Sequence, residues 1–501
     1  MDSRTSRAKK NIVVSALTQI LTIICGFITP QLLIKAFGSE AYGATSSITQ
    51  FLAYITLLEG GVAGVARAAL YKPLANNSSD EIGSIVAELK RFFFTIGCIF
   101  LVYVIILACS FKSISGVECF DWFSTFLLVI VISISTFAQY FIGITYSVVL
   151  QAGQRQYITN AINIITMVIN TIMIVLLVNV GANLICVKFL SSLIFVSRPM
   201  LMRIYIERNF VITKKKYQKT DVLNQKWTGL GQHIAYFLHT NADIAILTIF
   251  SNLKQVAVYS VYNMVISAIQ SLTVSFTAGM EAVFGDMIAR KEVKLLNKTF
   301  GYYETMVSII SVVFYSTMIV LIVPFICVYT QNLTDANYYA PLFAFLLSIS
   351  SFIFCLRFPY HAVVIAAGKF KETRLASYGE AFINIILSIA LVKKFGLAGV
   401  AIATVIAISF RFAFYVYFLA KDTLKRSIGL FFKRQTVNIV NFILIYYIGS
   451  ATALKKPITG YFLWLICGII VGVEAVIITM VINFIFYKND FNEVIRKFFK
   501  W

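Results

Sequence analysis

Three basic residues, Lys188, Arg357 and Arg411, stand inside long apolar runs. A charge at mid-bilayer costs at least about 2.5–3.5 kcal/mol on insertion scales, so a cation at that depth marks a functional position. An arginine in such surroundings can hold two phosphate oxygens at once. Arg357 is followed by Pro359 and His361, and proline removes an amide donor, which predicts a local break in that helix. Asp243, Glu59, Arg67 and Glu380 also fall in or at the ends of apolar runs and are the candidates for coupling or gating. Asp243 is the most central acid and suits Na⁺ or H⁺ coupling.

Neutral polar residues recur at helical spacing. Asn11, Ser15, Thr18, Gln19 and Thr22 form one stripe, and Gln232, Tyr236, His239, Thr240 and Asp243 repeat its steps. Asn263, Ser267, Gln270 and Thr277 share a face, as do Ser46, Thr49 and Gln50. Hydrocarbon offers no hydrogen-bond partners, so such stripes line a wet cavity or join helices. Their matched placement favours a cavity. The substrate-binding candidates are therefore Arg357, Arg411, Lys188, Gln19, Gln50, His239, Asn263, Gln270 and His361.

Other chemistries lack their residues. Gly60, Gly61 and Gly64 follow no strand and open no phosphate-binding helix, so they read as a close-packing surface. There is no P-loop and no H-E-x-x-H. The eight cysteines and three histidines show no metal-ligand spacing. No catalytic residue, metal or cofactor is expected.

The elements that must position these residues are membrane helices. Of 501 residues, 59% are hydrophobic and 13% charged, against about 25% charged in soluble domains. The net charge of +21 lies between apolar runs, which points to an anionic membrane surface rather than nucleic acid. A span needs about 20 apolar residues. Fourteen fit, at 12–34, 42–66, 91–111, 122–150, 156–178, 182–206, 229–251, 256–286, 301–329, 340–367, 374–393, 396–420, 435–454 and 460–487. Lys and Arg concentrate on alternate connections, which places both termini in the cytoplasm. The basic linker 207–228 separates an N-terminal lobe, 1–206, from a C-terminal lobe, 229–420. Apolar residues on one face make 421–434 an interfacial helix before the pair of spans in 435–487. The tail 488–501 reads as a second amphipathic helix on the cytoplasmic side.

The first six spans are repeated by the next six. Gly153 to Gly181 spans 28 residues, as does Gly368 to Gly396, and the copies stand 215 apart. Parallel duplicated halves are a transporter layout with the substrate between them.

Several segments carry a family likeness. Leu32-Leu33-Ile34-Lys35-Ala36-Phe37-Gly38-Ser39-Glu40-Ala41-Tyr42-Gly43 resembles the segment after the first span of polysaccharide transporters. Gly60-Gly61-Val62-Ala63-Gly64-Val65-Ala66-Arg67, Ala152-Gly153, Ala367-Gly368 and Phe395-Gly396-Leu397-Ala398-Gly399-Val400-Ala401 fit as well. The chain resembles the Wzx-type O-antigen and capsule flippases of the MOP superfamily over roughly residues 8–420. The resemblance implies an all-α polytopic membrane protein. Two pseudo-symmetric six-helix lobes would form a MATE-like V around an alternating cavity, with two further C-terminal helices. It also implies an undecaprenyl-pyrophosphate-linked glycan as cargo, the bacterial inner membrane as location and polysaccharide assembly proteins as partners. Lipid II flippases of the superfamily carry arginines in the first span. Here no charge occurs from Ile12 to Ile34, which counts against that cargo. On this reading Arg357 and Arg411 clamp the pyrophosphate. The rivals are a cation-coupled multidrug exporter of the same superfamily, in which Asp243 meets a cationic drug, and a membrane glycosyltransferase or polymerase. The external connections are too short for the latter.

Overall fold

The computed structural model describes residues 4–210, 213, 230–275, 279–455, 457–488 and 491. The described chain is helical, with no strand among these residues. Among the described residues, eleven helices are long and apolar enough to cross a bilayer. Two of the eleven, Lys9–Glu59 and Phe370–Lys421, are each more than twice the required length. Each is broken once, at Gly38 (φ 86°, ψ 165°) and at Gly396 (φ 53°, ψ −128°). Both conformations are open chiefly to glycine, so each long helix is two spans. With a further helix at Leu230–Phe250, the helices fall on the fourteen expected spans.

The chain divides into two compact units, residues 1–257 and 258–501. The first contains α1 (Arg4–Ala53), a 3₁₀ turn (Tyr54–Glu59), α2 (Val62–Ala75), α3 (Ser79–Ser115) and α4 (Trp122–Ala138). A π-helical turn (Gln139–Gly143), α5 (Ile144–Ala152), α6 (Gln156–Asn179), α7 (Leu184–Asn209) and α8 (Leu230–Phe250) complete it. α9 (Leu253–Ser275) crosses the division. The second unit continues with α10 (Met280–Ala289), α11 (Val293–Tyr329), α12 (Pro341–Leu356), α13 (Phe358–Ala366), α14 (Phe370–Lys421), α15 (Gly429–Ala453) and α16 (Tyr461–Phe486).

The division falls within α9, so α8 packs in the first unit. Ser47 and Thr248 hydroxyls meet at 2.7 Å, and Gln50 donates to Asn241 at 2.5 Å. The core of this unit is apolar and aromatic, with Phe93, Phe100 and Phe111 fully buried. Polar contacts fasten the helix ends. Asp121 caps α4 by accepting from the Phe123 amide. Its carboxyl is held below the usual range, chiefly by a hydrogen bond with Ser124. Glu40 accepts from the amides of Glu118 and Cys119. Burial, then the Glu40 charge, push the Cys119 thiol up to about 11.

The two units repeat one order of elements. α3 and α11 both have 37 residues, and α5 and α13 both have nine. Ser79 to Val293 is 214 residues, as is Ile144 to Phe358. The turns that follow match as well, the Arg155 amide donating to Leu150 and the Lys369 amide to Val364. The residue with positive φ is Gln154 in the first turn and Gly368 in the second. This sets the register at 214 there, one residue from the Gly153–Gly368 match read in the sequence.

Residues 422–428 form a turn rather than an interfacial helix, and Leu424 is buried. Helix resumes at Gly429 as the start of α15. The cause is an ion cluster, described below, that draws Arg426 and Arg434 inward. Lys369 pairs with Asp422 at 3.2 Å beside this turn. The hydrogen bond and charge of Asp422 raise the Lys369 ammonium. The 207–228 linker and the 488–501 tail lie for the most part outside the described residues.

One packing contact gives a direct test. A methyl group at Gly43 would stand 1.9 Å from the carbonyl oxygen of Leu253, whereas one at Gly64 meets nothing within 4 Å. Gly43→Ala is expected to destabilise the protein by at least about 1–3 kcal/mol. Gly64→Ala should stay within about 0.5 kcal/mol of the parent. Thermal unfolding in detergent checks both, and equal melting would contradict the close approach.

Candidate functional site

Inside the first unit the second half of α1, α4 with its π turn, and α7 wall a cavity of about 570 Å³. Its lining includes the hydroxyls of Thr49, Thr56, Ser135, Thr136, Ser191 and Ser192 and the amide of Gln139. The wall is irregular where it matters, since the 3₁₀ turn and the π turn both face the cavity. Such π turns are frequent at functional sites.

Two cations line it, Lys188 and Arg198, ten residues apart on α7, about 15 Å at the helical rise. Lys188 makes no hydrogen bond or ion pair among the described residues. The Arg198 guanidinium donates through Nε to Thr166 Oγ1 at 2.7 Å and lies 4.2 Å from the Phe195 ring centre. It has no acidic partner among the described residues. Glu59 is the acid in the lining and accepts from the Tyr140 hydroxyl. Among the described residues, the cavity lining therefore holds two basic side chains against one acidic. Its polar wall can hydrate them or exchange water for an anion.

The second unit brings Arg357 and Arg411 together, as a basic clamp would require, but around a carboxylate. Glu380 Oε1 lies 2.6 Å from Arg357 Nη1, and Oε2 lies 2.5 Å from Arg411 Nη1. Arg411 also donates to the Tyr415 hydroxyl at 3.0 and 2.8 Å. Glu380 is fully buried, and the arginines are 5% and 4% exposed. Arg357 sits at the expected break between α12 and α13. His361 stacks parallel to Tyr415, with centroids 6.1 Å apart. Both arginines are buried and spend donors on protein groups, Arg357 on Glu380 and Arg411 on Glu380 and Tyr415.

A second buried carboxylate, Glu304, accepts from the Tyr360 hydroxyl at 2.5 Å and from Arg426 at 3.0 Å to both oxygens. Arg434 stands 3.6 Å away and also donates to Thr305. Arg426 and Arg434 read in the sequence as connection charges. The missed signal was Glu304, an acid inside an apolar run that needs a cationic partner.

The remaining candidates are placed separately. Gln50 is engaged by Asn241 on α8. Gln19, Asn263 and Gln270 are half-buried and belong to neither cluster nor cavity. Asp243 is 5% exposed on α8. Arg67 has its Nε buried without a hydrogen bond. Gly60 and Gly61, both with positive φ, separate Arg67 from Glu59. The side chain of His239 lies outside the described residues. In the sequence Arg198 stands toward the cytoplasmic end of the 182–206 span, where a cation is ordinary. Its ten-residue distance from Lys188 along one helix was the available clue.

The architecture is shared with solved membrane transporters at low identity. The lipid II flippase MurJ, in an inward closed conformation, matches with a TM-score of 0.69 and 16% identity. That match covers 95% of this chain and 99% of the other. An inward-facing multidrug-resistance MATE transporter of the MOP superfamily gives 0.60 and 14%, over 80% of this chain and 95% of the other. The MATE multidrug transporter DinF-BH gives 0.57 and 15%, over 84% of this chain and 96% of the other. No protein-family model matches the sequence, and no curated protein does. The chain shares its fold with these solved transporters.

The buried cluster predicts a large asymmetry in mutational cost. Glu380→Ala leaves two buried arginines without their anion and should destabilise by about 3–5 kcal/mol. Glu207→Ala, which breaks an exposed pair with Arg203, should cost about 1 kcal/mol or less. Thermal unfolding of both variants measures the difference, and equal losses would rule out a structural role for Glu380.

Proposed function

We propose that the chain is a flippase for a lipid-linked oligosaccharide. It moves an undecaprenyl-pyrophosphate-linked glycan from the inner to the outer leaflet of a bacterial inner membrane by alternating access, for surface polysaccharide assembly. The observation that carries this reading is the cavity with Lys188 and Arg198, two cations without acidic partners among the described residues, inside a bundle of membrane helices.

An isolated pyrophosphate cannot enter hydrocarbon, because desolvating a charge costs tens of kcal/mol in the ideal limit. A polar cavity with unneutralised cations lowers that cost. The polyprenyl tail remains in lipid throughout. Arg198, already oriented by Thr166, offers its remaining guanidinium donors to phosphoryl oxygens, and Lys188 meets a second anionic or polar group. The hydroxyls and amide of the wall suit sugars. An inside-negative potential favours outward movement of an anion by about 2.3 kcal/mol per charge per 100 mV. Asp243 is assigned to Na⁺ or H⁺ coupling. Arg357 and Arg411, neutralised by Glu380, hold the second unit's helices together on this reading.

The multidrug-exporter reading draws on Glu59, an acid beside Tyr140 and Phe195 in the same lining, where a lipophilic cation would fit. The two readings separate in proteoliposomes. Translocation of an undecaprenyl-pyrophosphate-linked sugar should fall about tenfold or more in Arg198→Ala and Lys188→Ala, as expected for loss of a charge-assisted contact. Glu59→Gln should leave a substantial rate. Unchanged transport in both cation variants, or transport of a lipophilic cation that depends on Glu59, would overturn the flippase reading.

A further inference from the structure

The two units place a matching contact between corresponding spans, within one residue of the repeat register, and fill it with different charges. Glu380 is the eleventh residue of α14, and Thr166 is the eleventh of α6. Arg198 and Arg411 stand 213 residues apart, one short of the 214 between Thr166 and Glu380, each on the span that follows. In each unit the arginine donates to the residue on the preceding span, Arg411 to Glu380 at 2.5 Å and Arg198 to Thr166 at 2.7 Å. The position of Arg357, immediately before the nine-residue α13, is Gly143 before the nine-residue α5. The first unit thus keeps the arginine but lacks both the carboxylate that would neutralise it and the second arginine. A cavity adjoins Arg198 there.

We infer that Thr166 sets the charge selectivity of the first unit's cavity. As a neutral hydroxyl it orients Arg198 through one hydrogen bond and leaves the guanidinium charge for a phosphoryl anion. An acid at this position, as at Glu380, closes the site. Thr166 acts through Arg198, so it is a positioning residue. The ligand class is a phosphate or pyrophosphate group, lipid-borne or free. This inference rests on the flippase reading and refines its anion site.

The neighbours of Arg198 set what the substitution can do. Thr166 is 2% exposed and returns its own hydroxyl to the Ile162 and Asn163 carbonyls. A glutamate there reaches Arg198, as Glu380 reaches Arg411. A glutamine of equal length fills the same space without the charge, so the pair separates bulk from electrostatics.

Binding of inorganic pyrophosphate and of farnesyl pyrophosphate to the purified full-length protein is measured by calorimetry, with melting temperature as the check on folding. Thr166→Glu is expected to weaken binding about tenfold or more, the scale of one charge-assisted contact, with no loss of melting temperature. Thr166→Gln should weaken it far less. Tighter binding of the prenylated probe identifies a lipid-borne source, and equal binding a free anion; either agrees with the inference. If Arg198→Ala loses affinity while Thr166→Glu, folded, keeps it, the role of Thr166 is refuted and the anion site stands. If Arg198→Ala also binds as the parent does, the anion site itself falls. Equal losses in Thr166→Glu and Thr166→Gln would show bulk, not charge, and refute the inference.

Discussion

A full charge within a membrane must be paired or hydrated, and this constraint shapes the interior of both units. In the second unit, pairing prevails. Glu380 takes one arginine on each oxygen, and Glu304 takes Arg426 on both. Further donors of Arg411, Arg426 and Arg434 go to Tyr415, Tyr360 and Thr305. In the first unit the equivalent arginine has, among the described residues, a threonine hydroxyl and the Phe195 ring, and open polar space takes the place of the acid. One duplicated framework thus yields a rigid cluster in one copy and an accessible cation in the other.

The framework tolerates this because its irregularities are placed where charge needs room. The π turn before α5 and the break at Arg357 before α13 occupy equivalent positions. At one, Gly143 lets the Gln139 side chain pack against the backbone, where a Cβ would stand 2.3 Å from its Oε1. At the other, Pro359 weakens the helix ladder and Arg357 turns to its carboxylate. The Glu304 cluster fixes the turn ahead of α15, which joins the last two spans to α11. Their outer faces carry exposed Phe462, Ile477 and Ile485, as a lipid-facing surface requires.

Much of this was legible in residue order. Apolar run length set the spans, because a bilayer thickness is a length requirement. Pro359 announced the break at Arg357, and glycine spacing announced the repeat. The pairing of charges was not legible, because it depends on which faces of distant helices meet. Arg357 and Arg411 look like a clamp until Glu380 is seen between them. Arg426 and Arg434 look like solvated connection charges until Glu304 is seen to be buried. Gln50 reads as a cavity residue, yet its amide is taken by Asn241. The repeat register slipped by one because a glycine in one turn is matched by glutamine in the other. Arg198 was visible throughout, but its importance lies in a missing neighbour, and an absence of charge at position 166 has meaning only beside Glu380.

The most direct measurement is an experimental structure with a lipid-linked pyrophosphate bound. The account predicts phosphoryl oxygens within about 2.7–3.1 Å of the Arg198 guanidinium, with Glu380 still seated between Arg357 and Arg411. A pyrophosphate lodged between Arg357 and Arg411 with Glu380 displaced, and an empty cavity beside Arg198, would contradict it.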